Sequence, residues 1–218
     1  MQTGFRCKQS LSRAARLLAA TFCCAISGIT TMVVSPPASA ENVAGIAIDH
    51  VAKLKPSPTM SRKVAERLRE ARVPIEFVEA FESDVPWANK RITGSVYISR
   101  MRYKKGFKRS LDEVVQETFD DIMLKYGDKA GVLENKRVRV SGLDAHRLSF
   151  TVQIEDLGMG AETLLLQNRG QDALWIVQVV FDESTPGPKG SLSPEARRLN
   201  AAQIIDSVRI GMPPVKAK

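Results

Sequence analysis

The sequence predicts an α+β fold: a mainly antiparallel sheet covered by helices, layered as an α-β-α sandwich. Three observations carry that expectation. Residues 145–183 read as three consecutive strands, an antiparallel meander joined by short connections that contain glycine. The last of these strands is apolar on both faces, with Trp175, Val177, Val179 and Phe181 on one and Leu174, Ile176 and Val180 on the other. A strand buried on both sides belongs inside a sheet that is covered twice. Two amphipathic helices, over residues 110–126 and 193–208, need such a sheet to cover their apolar stripes.

The chain opens on an expected secretory signal peptide, residues 1–40. Arg6, Lys8, Arg13 and Arg16 form a basic start without any acid, a mostly apolar run follows over residues 17–34, and Ala38-Ser39-Ala40 offers small residues for cleavage after Ala40. The rival reading is an uncleaved anchor, because the run approaches the ~20 residues that a span needs. Ser27, Gly28, Thr30 and Thr31 weaken it as a span. All three cysteines, Cys7, Cys23 and Cys24, fall in the leader. The expected mature chain therefore has no disulfide, no thiol nucleophile and no thiolate metal ligand. Removing the leader's four cations takes the net charge from +8 to +4, so much of the basicity belongs to the leader.

About 178 residues then remain, enough for one domain with a sizeable core. Residues 41–59, with Pro56 and Pro58, read as a lead-in or linker that contains a short strand over 44–51. A single α+β domain is expected over 60–212 and a basic tail over 213–218. Residues 61–72 look helical: Ser61 is placed to cap, Val64, Ala65, Leu68 and Ala71 recur at helical spacing, and Pro74 stops the run. Residues 75–81 fit a strand or a helix end.

Residues 92–103 are a strand by composition, with β-branched and aromatic residues and polar alternates. Ser110 and Glu113 form a capping box, and Leu111, Val114, Val115, Phe119, Ile122, Met123 and Tyr126 make one stripe that stops at Gly127. Residues 133–140 form a strand with Val138 and Val140 inward and Arg137 and Arg139 outward. The next strand alternates His146, Leu148, Phe150, Val152 and Ile154 with Arg147, Ser149, Thr151, Gln153 and Glu155. Its second face is thus wet or covered by polar packing. Residues 156–160 are read as a loop and 163–167 as the second meander strand. Gly170 suits a tight turn into the third. Residues 184–190 are a Pro/Gly loop. Ser193 then caps a last helix, with Pro194 at its first position and Ala196, Leu199, Ala202, Ile205 and Val208 as its buried stripe.

The helix over 110–126, the strand pair around Val138-Arg139-Val140-Ser141-Gly142 and His146-Arg147-Leu148-Ser149-Phe150, and the ending Ala202-Gln203-Ile204-Ile205-Asp206-Ser207-Val208 resemble the PsbP-like superfamily in their order. That superfamily includes photosystem extrinsic subunits, a Ran-binding release factor and small exported bacterial proteins. The resemblance spans roughly residues 92–210 as a pattern of elements. It implies an α-β-α sandwich in which a final helix packs across the sheet, and it brings no catalytic residues. The helix over 61–72 is an addition to that pattern.

The sequence shows no His-Glu-x-x-His, Gly-x-Ser-x-Gly, phosphate-cradling glycine loop or EF-hand loop. His50 beside Asp49 and His146 beside Asp144 are the two histidine–carboxylate neighbours, and the simpler reading of each is a surface or strand-end histidine. Asp112, Glu113, Glu117, Asp120 and Asp121 are read as the solvated face of a helix. No catalytic residue, metal ligand or cofactor is expected. The most suggestive stretch is residues 100–109, where Arg100, Arg102, Lys104, Lys105, Lys108 and Arg109 interleave with Tyr103 and Phe107. These six form the candidate site for an anionic partner. The export signal argues against nucleic acid and for anionic lipid, acidic glycan or an acidic protein surface. The plain alternative is a solvated strand end. Arg137 and Arg139 strengthen the binding reading if they flank the stretch.

The expected function is that of a periplasmic or secreted, Sec-exported binding or accessory protein without catalysis. Its partner is an envelope protein or an anionic surface, and no transmembrane span is left after cleavage. An envelope-associated protein that holds anionic lipid or glycan through residues 100–109 is the second reading. A hydrolase-like enzyme is the third.

Overall fold

The computed structural model describes residues 41–43, 45–86, 92–154, 157–168, 173–183 and 192–211. The expected leader, the expected turn at Gly170, the loop read over 184–190 and the tail read over 213–218 lie outside the described residues. In chain order the elements are β1 (Glu41–Val43), β2 (Ile46–Ile48), β3 (Lys55–Pro56), α1 (Pro58–Glu70), β4 (Ile75–Pro86), β5 (Ile92–Tyr103), α2 (Leu111–Tyr126), a 3-10 turn (Gly127–Lys129), β6 (Ala130–Val140), β7 (Leu143–Ile154), β8 (Leu157–Asn168), β9 (Ala173–Asp182), α3 (Pro194–Asp206) and β10 (Arg209–Ile210).

Seven strands form one sheet in the order β3-β4-β5-β9-β8-β7-β6, and each adjacent pair is antiparallel. The doubly apolar strand is therefore the fourth of seven. Leu174, Ile176 and Val180 pack into one core with Met60, Val64 and Leu68 of α1 and Leu111, Val114, Val115 and Ile122 of α2. Trp175, Val177, Val179 and Phe181 pack into a second core with Ala201, Ile204 and Ile205 of α3, together with Ile46 and Ile48. The layers are α1 and α2, then the sheet, then α3 with a small sheet ordered β1-β2-β10. This is the α+β sandwich that the patterning predicts.

The segment read as a lead-in is packed. Ile46, Ile48, Val51 and Leu54 are buried in the second core, and Ala52 N–H donates to Asp84 C=O at 3.2 Å. Three changes of boundary have local causes. First, α1 begins at Pro58 after Ser57. Ser61 lies inside it, where its hydroxyl donates to Ser57 C=O at 3.0 Å and accepts from Ala80 N–H at 2.9 Å. Second, the next meander strand starts at Leu157, so residues 157–160 of the stretch read as a loop are ladder. Gly160 fits there because Phe181 of the neighbouring strand lies over it: a Cβ at Gly160 would stand 2.3 Å from the ring. Third, α3 turns a rotated face inward, although Ile205, and Val208 just beyond the helix, are buried as the spacing predicts. Arg197, Asn200, Ala201, Ile204 and Ile205 are buried, whereas Leu199 is 62% exposed. Arg197 earns its interior place by donating to Asp182 C=O at 2.7 Å. On α2, Leu111, Val114, Val115 and Ile122 are buried as the spacing predicts, while Thr118 and Asp121 join them inside and Met123 is exposed.

The second face of β7 carries polar packing. Arg147 Nη2 lies 3.1 Å from Glu162 Oε2, its Nη1 2.8 Å from Asp206 Oδ1, and its Nε 3.1 Å from Glu134 Oε2. Ser149 Oγ donates to Glu162 Oε1 at 2.7 Å. This cluster ties the end of α3 to three strands of the sheet.

Candidate anion-binding surface

β5 ends at Tyr103, and residues 104–110 carry the chain along the lower end of the sheet to α2. Lys104 N–H donates to Pro74 C=O at 2.9 Å, which joins this connection to the one between α1 and β4. At the far side Gln167 of β8 donates its side-chain amide to Arg109 C=O. Phe107 tucks inward with its ring 5.3 Å from that of Tyr103, so the aromatic residues of the stretch serve the core and the lysines face out.

The structure divides the six candidate residues into three groups. Lys104, Lys105 and Lys108 are exposed and make no ion pair among the described residues. Arg109 is an anchor: its side chain is 7% exposed and its guanidinium meets Glu117. Burial lowers its pKa, with partial relief from Tyr103 and Glu113, and burial raises that of Tyr103 with Arg109 opposing. Arg100 and Arg102 lie on the opposite face of the sheet from α2. Their guanidinium carbons stand 5.4 and 5.0 Å from the centre of the Phe77 ring, and Arg100 is also 5.7 Å from that of Trp175. Glu79 and Glu76 are at 3.6 and 3.7 Å, outside hydrogen-bond contact. These two arginines roof the corner of the second core as stacked cations. The stretch therefore offers three free cations, two stacked ones and one buried one.

The join at Pro74 brings in two cations from outside the stretch. Arg69 and Arg72, at the end of α1, are exposed and make no ion pair among the described residues. Arg72 has φ 55, in the left-handed region. Arg72 N–H donates to Arg69 C=O and Val73 N–H to Leu68 C=O, each at 2.9 Å, which closes the helix in the arrangement usually built around glycine. An arginine here is strained, by about 1–2 kcal/mol, and backbone strain of this kind gathers at working surfaces. The sequence signal was a helix that ends in Arg-Val-Pro with no glycine.

Arg137 and Arg139 do not join this group directly. They lie on β6, the far edge of the sheet, where Arg137 meets Asp112 of α2 and Arg139 donates to Gly142 C=O at 2.9 Å. A cleft of about 420 Å³ opens there, lined by Leu111, Asp112, Arg137, Val138, Arg139, Asp144 and Ala145. His146 is not among its lining residues. Its Nε2 meets Asn135 Oδ1, and burial lowers its pKa, with Asp112 opposing and Arg137 assisting. His50 is exposed, with φ 64.

No helix among the described residues is long and apolar enough to cross a membrane. No family model matches the chain, and no curated protein matches it. Among solved structures it is similar to a T6SS immunity protein of Pseudomonas aeruginosa, TplEi, complexed with a peptide, at 18% identity and a TM-score of 0.42 over 63% of this chain and 49% of that one. A Bacteroides thetaiotaomicron protein matches at 12% identity and a TM-score of 0.38, over 80% of this chain and 48% of that one. The chain thus spans about half the length of those two. LpqN of Mycobacterium tuberculosis, involved in cell envelope biogenesis, matches at 14% identity and a TM-score of 0.42, over 82% of this chain and 87% of that one. None of the three is described as PsbP-like, and likenesses this distant carry no argument about activity.

Proposed function

We propose that the chain is an exported, non-catalytic binding or accessory domain that holds an anionic partner against the lower end of its sheet. One observation carries the proposal. The Lys104–Pro74 backbone bond joins two connections, and Arg69, Arg72, Lys104, Lys105 and Lys108 all lie within five residues of it along the chain, exposed and without an acidic partner among the described residues. Unpaired cations on a backbone fixed by Arg109 and Pro74 form a surface already set out for negative charge. The leader supports a periplasmic or secreted site of action. His146, held to an amide and set beside the cleft, supports a role without acid–base chemistry.

The partner is an acidic protein surface on the first reading and an anionic lipid or glycan of the envelope on the second. The lysines favour the second in one respect, since flexible point charges suit mobile headgroups. The test compares the wild type with K104A/K105A/K108A in co-sedimentation with phosphatidylglycerol vesicles, and on an immobilised acidic polypeptide, across a salt series. Each lysine near an anionic surface contributes about 1 kcal/mol, so the triple variant is expected to bind about a hundredfold more weakly, with a shallower salt dependence. Vesicle binding alone selects the lipid reading and polypeptide binding alone the protein reading. No binding of either at low salt refutes the proposal, as does a triple variant that binds like the wild type.

A further inference from the structure

We propose that the lower half of β6 is a strand-addition site for an extended polypeptide with acidic side chains at alternate positions. β6 is the outer strand of the sheet, so the backbone groups on its far side face no other strand among the described residues. A register shift between Val132 and Glu134 interrupts the ladder. Below it, residues 134–140 run regularly against β7, with Arg137 opposite His146 and Arg139 opposite Asp144. That leaves a seven-residue edge of ordinary strand geometry, while the bulge blunts the upper half.

The lower half also has the second feature that strand addition needs, a recess for alternate side chains. The cleft of about 420 Å³ lies against Arg137, Val138 and Arg139 and is also lined by Leu111 and Asp112 at the start of α2. Arg137 and Arg139 share one face, two residues and about 6.5–7 Å apart. An added strand repeats that spacing, so its own alternate side chains stand opposite both arginines. Arg137 is 75% exposed and its present partner, Asp112, 60% exposed. A pair that wet is weak, and an incoming carboxylate shares or replaces it at little cost. Lys136 adds a third cation on the other face, where it meets Glu134 at 2.6 Å.

Charge also argues against a second copy of this chain as the occupant. Antiparallel self-pairing centred on Lys136, Arg137 or Val138 sets lysine against lysine or arginine against arginine, and like charges directly opposite are unfavourable. A centre at Asn135 draws the bulge into the ladder. The edge fits a foreign, acidic strand.

The test is made in the K104A/K105A/K108A background, so that its outcome is separate from that of the proposed function. The probe is a labelled heptapeptide in which valine and glutamate alternate, with a valine–lysine counterpart. Hydrogen exchange is expected to show slowed amides confined to residues 134–140 when the glutamate peptide is added. The lysine peptide is expected to bind at least tenfold more weakly, and R137E/R139E to reverse that order. Peptides N-methylated at alternate residues, in either of the two registers, separate backbone pairing from simple charge attraction. One register is expected to lose binding and the other to keep it. Equal binding by both registers overturns the proposal. So does protection outside β6, or self-association of the protein that R137E/R139E abolishes.

Discussion

Arg147→Met tests how the ion cluster beneath α3 holds the two halves of the second face together. Arg147 is 13% exposed at its side chain and Glu162 is 3% exposed, and the arginine meets Glu134, Glu162 and Asp206 at once. Methionine keeps much of the volume and removes the charge. Glu162 is then left with Ser149 alone. Breaking a buried pair from one side costs about 3–5 kcal/mol, on the order of 10 °C in Tm for a domain of this size. The loss is expected to depend on pH. Burial raises the pKa of Glu162, and Ser149 and Arg147 oppose it. Without Arg147 the folded-state pKa rises further above the unfolded value. Stability tied to a raised carboxyl is present below the unfolded pKa and fades as pH climbs through the folded one. The variant is therefore expected to fall furthest behind the wild type at neutral pH and to recover toward it as the pH drops into the ordinary carboxylate range. Urea melts of the wild type, Arg147→Met and Arg147→Met/Glu162→Gln at several pH values measure this. The double variant is expected to regain part of the loss and to lack the pH dependence. A deficit in Arg147→Met that is flat with pH, or smaller than about 1 kcal/mol, refutes the account of a buried carboxylate held charged by its arginine.

Arg72→Gly relieves the left-handed backbone and is expected to raise stability by about 1 kcal/mol while weakening the anionic binding; denaturant midpoints and vesicle co-sedimentation read the two effects, and a variant without gain in stability refutes the strain. Gly160→Ala drives a methyl into the Phe181 ring and is expected to cost about 1–3 kcal/mol, seen as a lower urea midpoint; an unchanged midpoint shows that the ring moves aside freely. Intact-mass measurement of protein recovered from the exported fraction is expected to show a chain that starts at Glu41, and a chain that retains Met1 refutes cleavage after Ala40.

The sheet was legible because its centre is written in two-sided apolar alternation: Leu174, Trp175 and their neighbours have nowhere to go but an interior strand. The start of α2 was legible for a local reason, since Ser110 and Glu113 satisfy each other's backbone N–H groups whatever surrounds them. Elements whose partners are distant in sequence were less clear. Ile46 and Ile48 look like fragments of a loose lead-in until β10 and α3 are beside them. Leu157 to Gly160 looks like part of a glycine loop until Phe181 fills the space above Gly160. The inward face of α3 is only partly legible: Ile205 and Val208 are buried as the spacing predicts, but Arg197 and Asn200 are polar, and Arg197 is tolerated inside through its bond to Asp182. The candidate surface had the same difficulty. Six cations within ten residues look alike in a sequence, and only the fold sends Arg109 inward, stacks Arg100 and Arg102 on Phe77, and ties Lys104 to the turn that follows Arg72.

The seam between β5 and β9 has a consequence for how the chain comes into being. Gly94 pairs with Phe181 and Arg102 with Ala173, so the strand that completes the middle of the sheet is among the last to be synthesised. Until then the β4–β5 hairpin has one bare side and neither core can shut, and pairing across so long a stretch of chain is slow. A polypeptide built this way cannot close early.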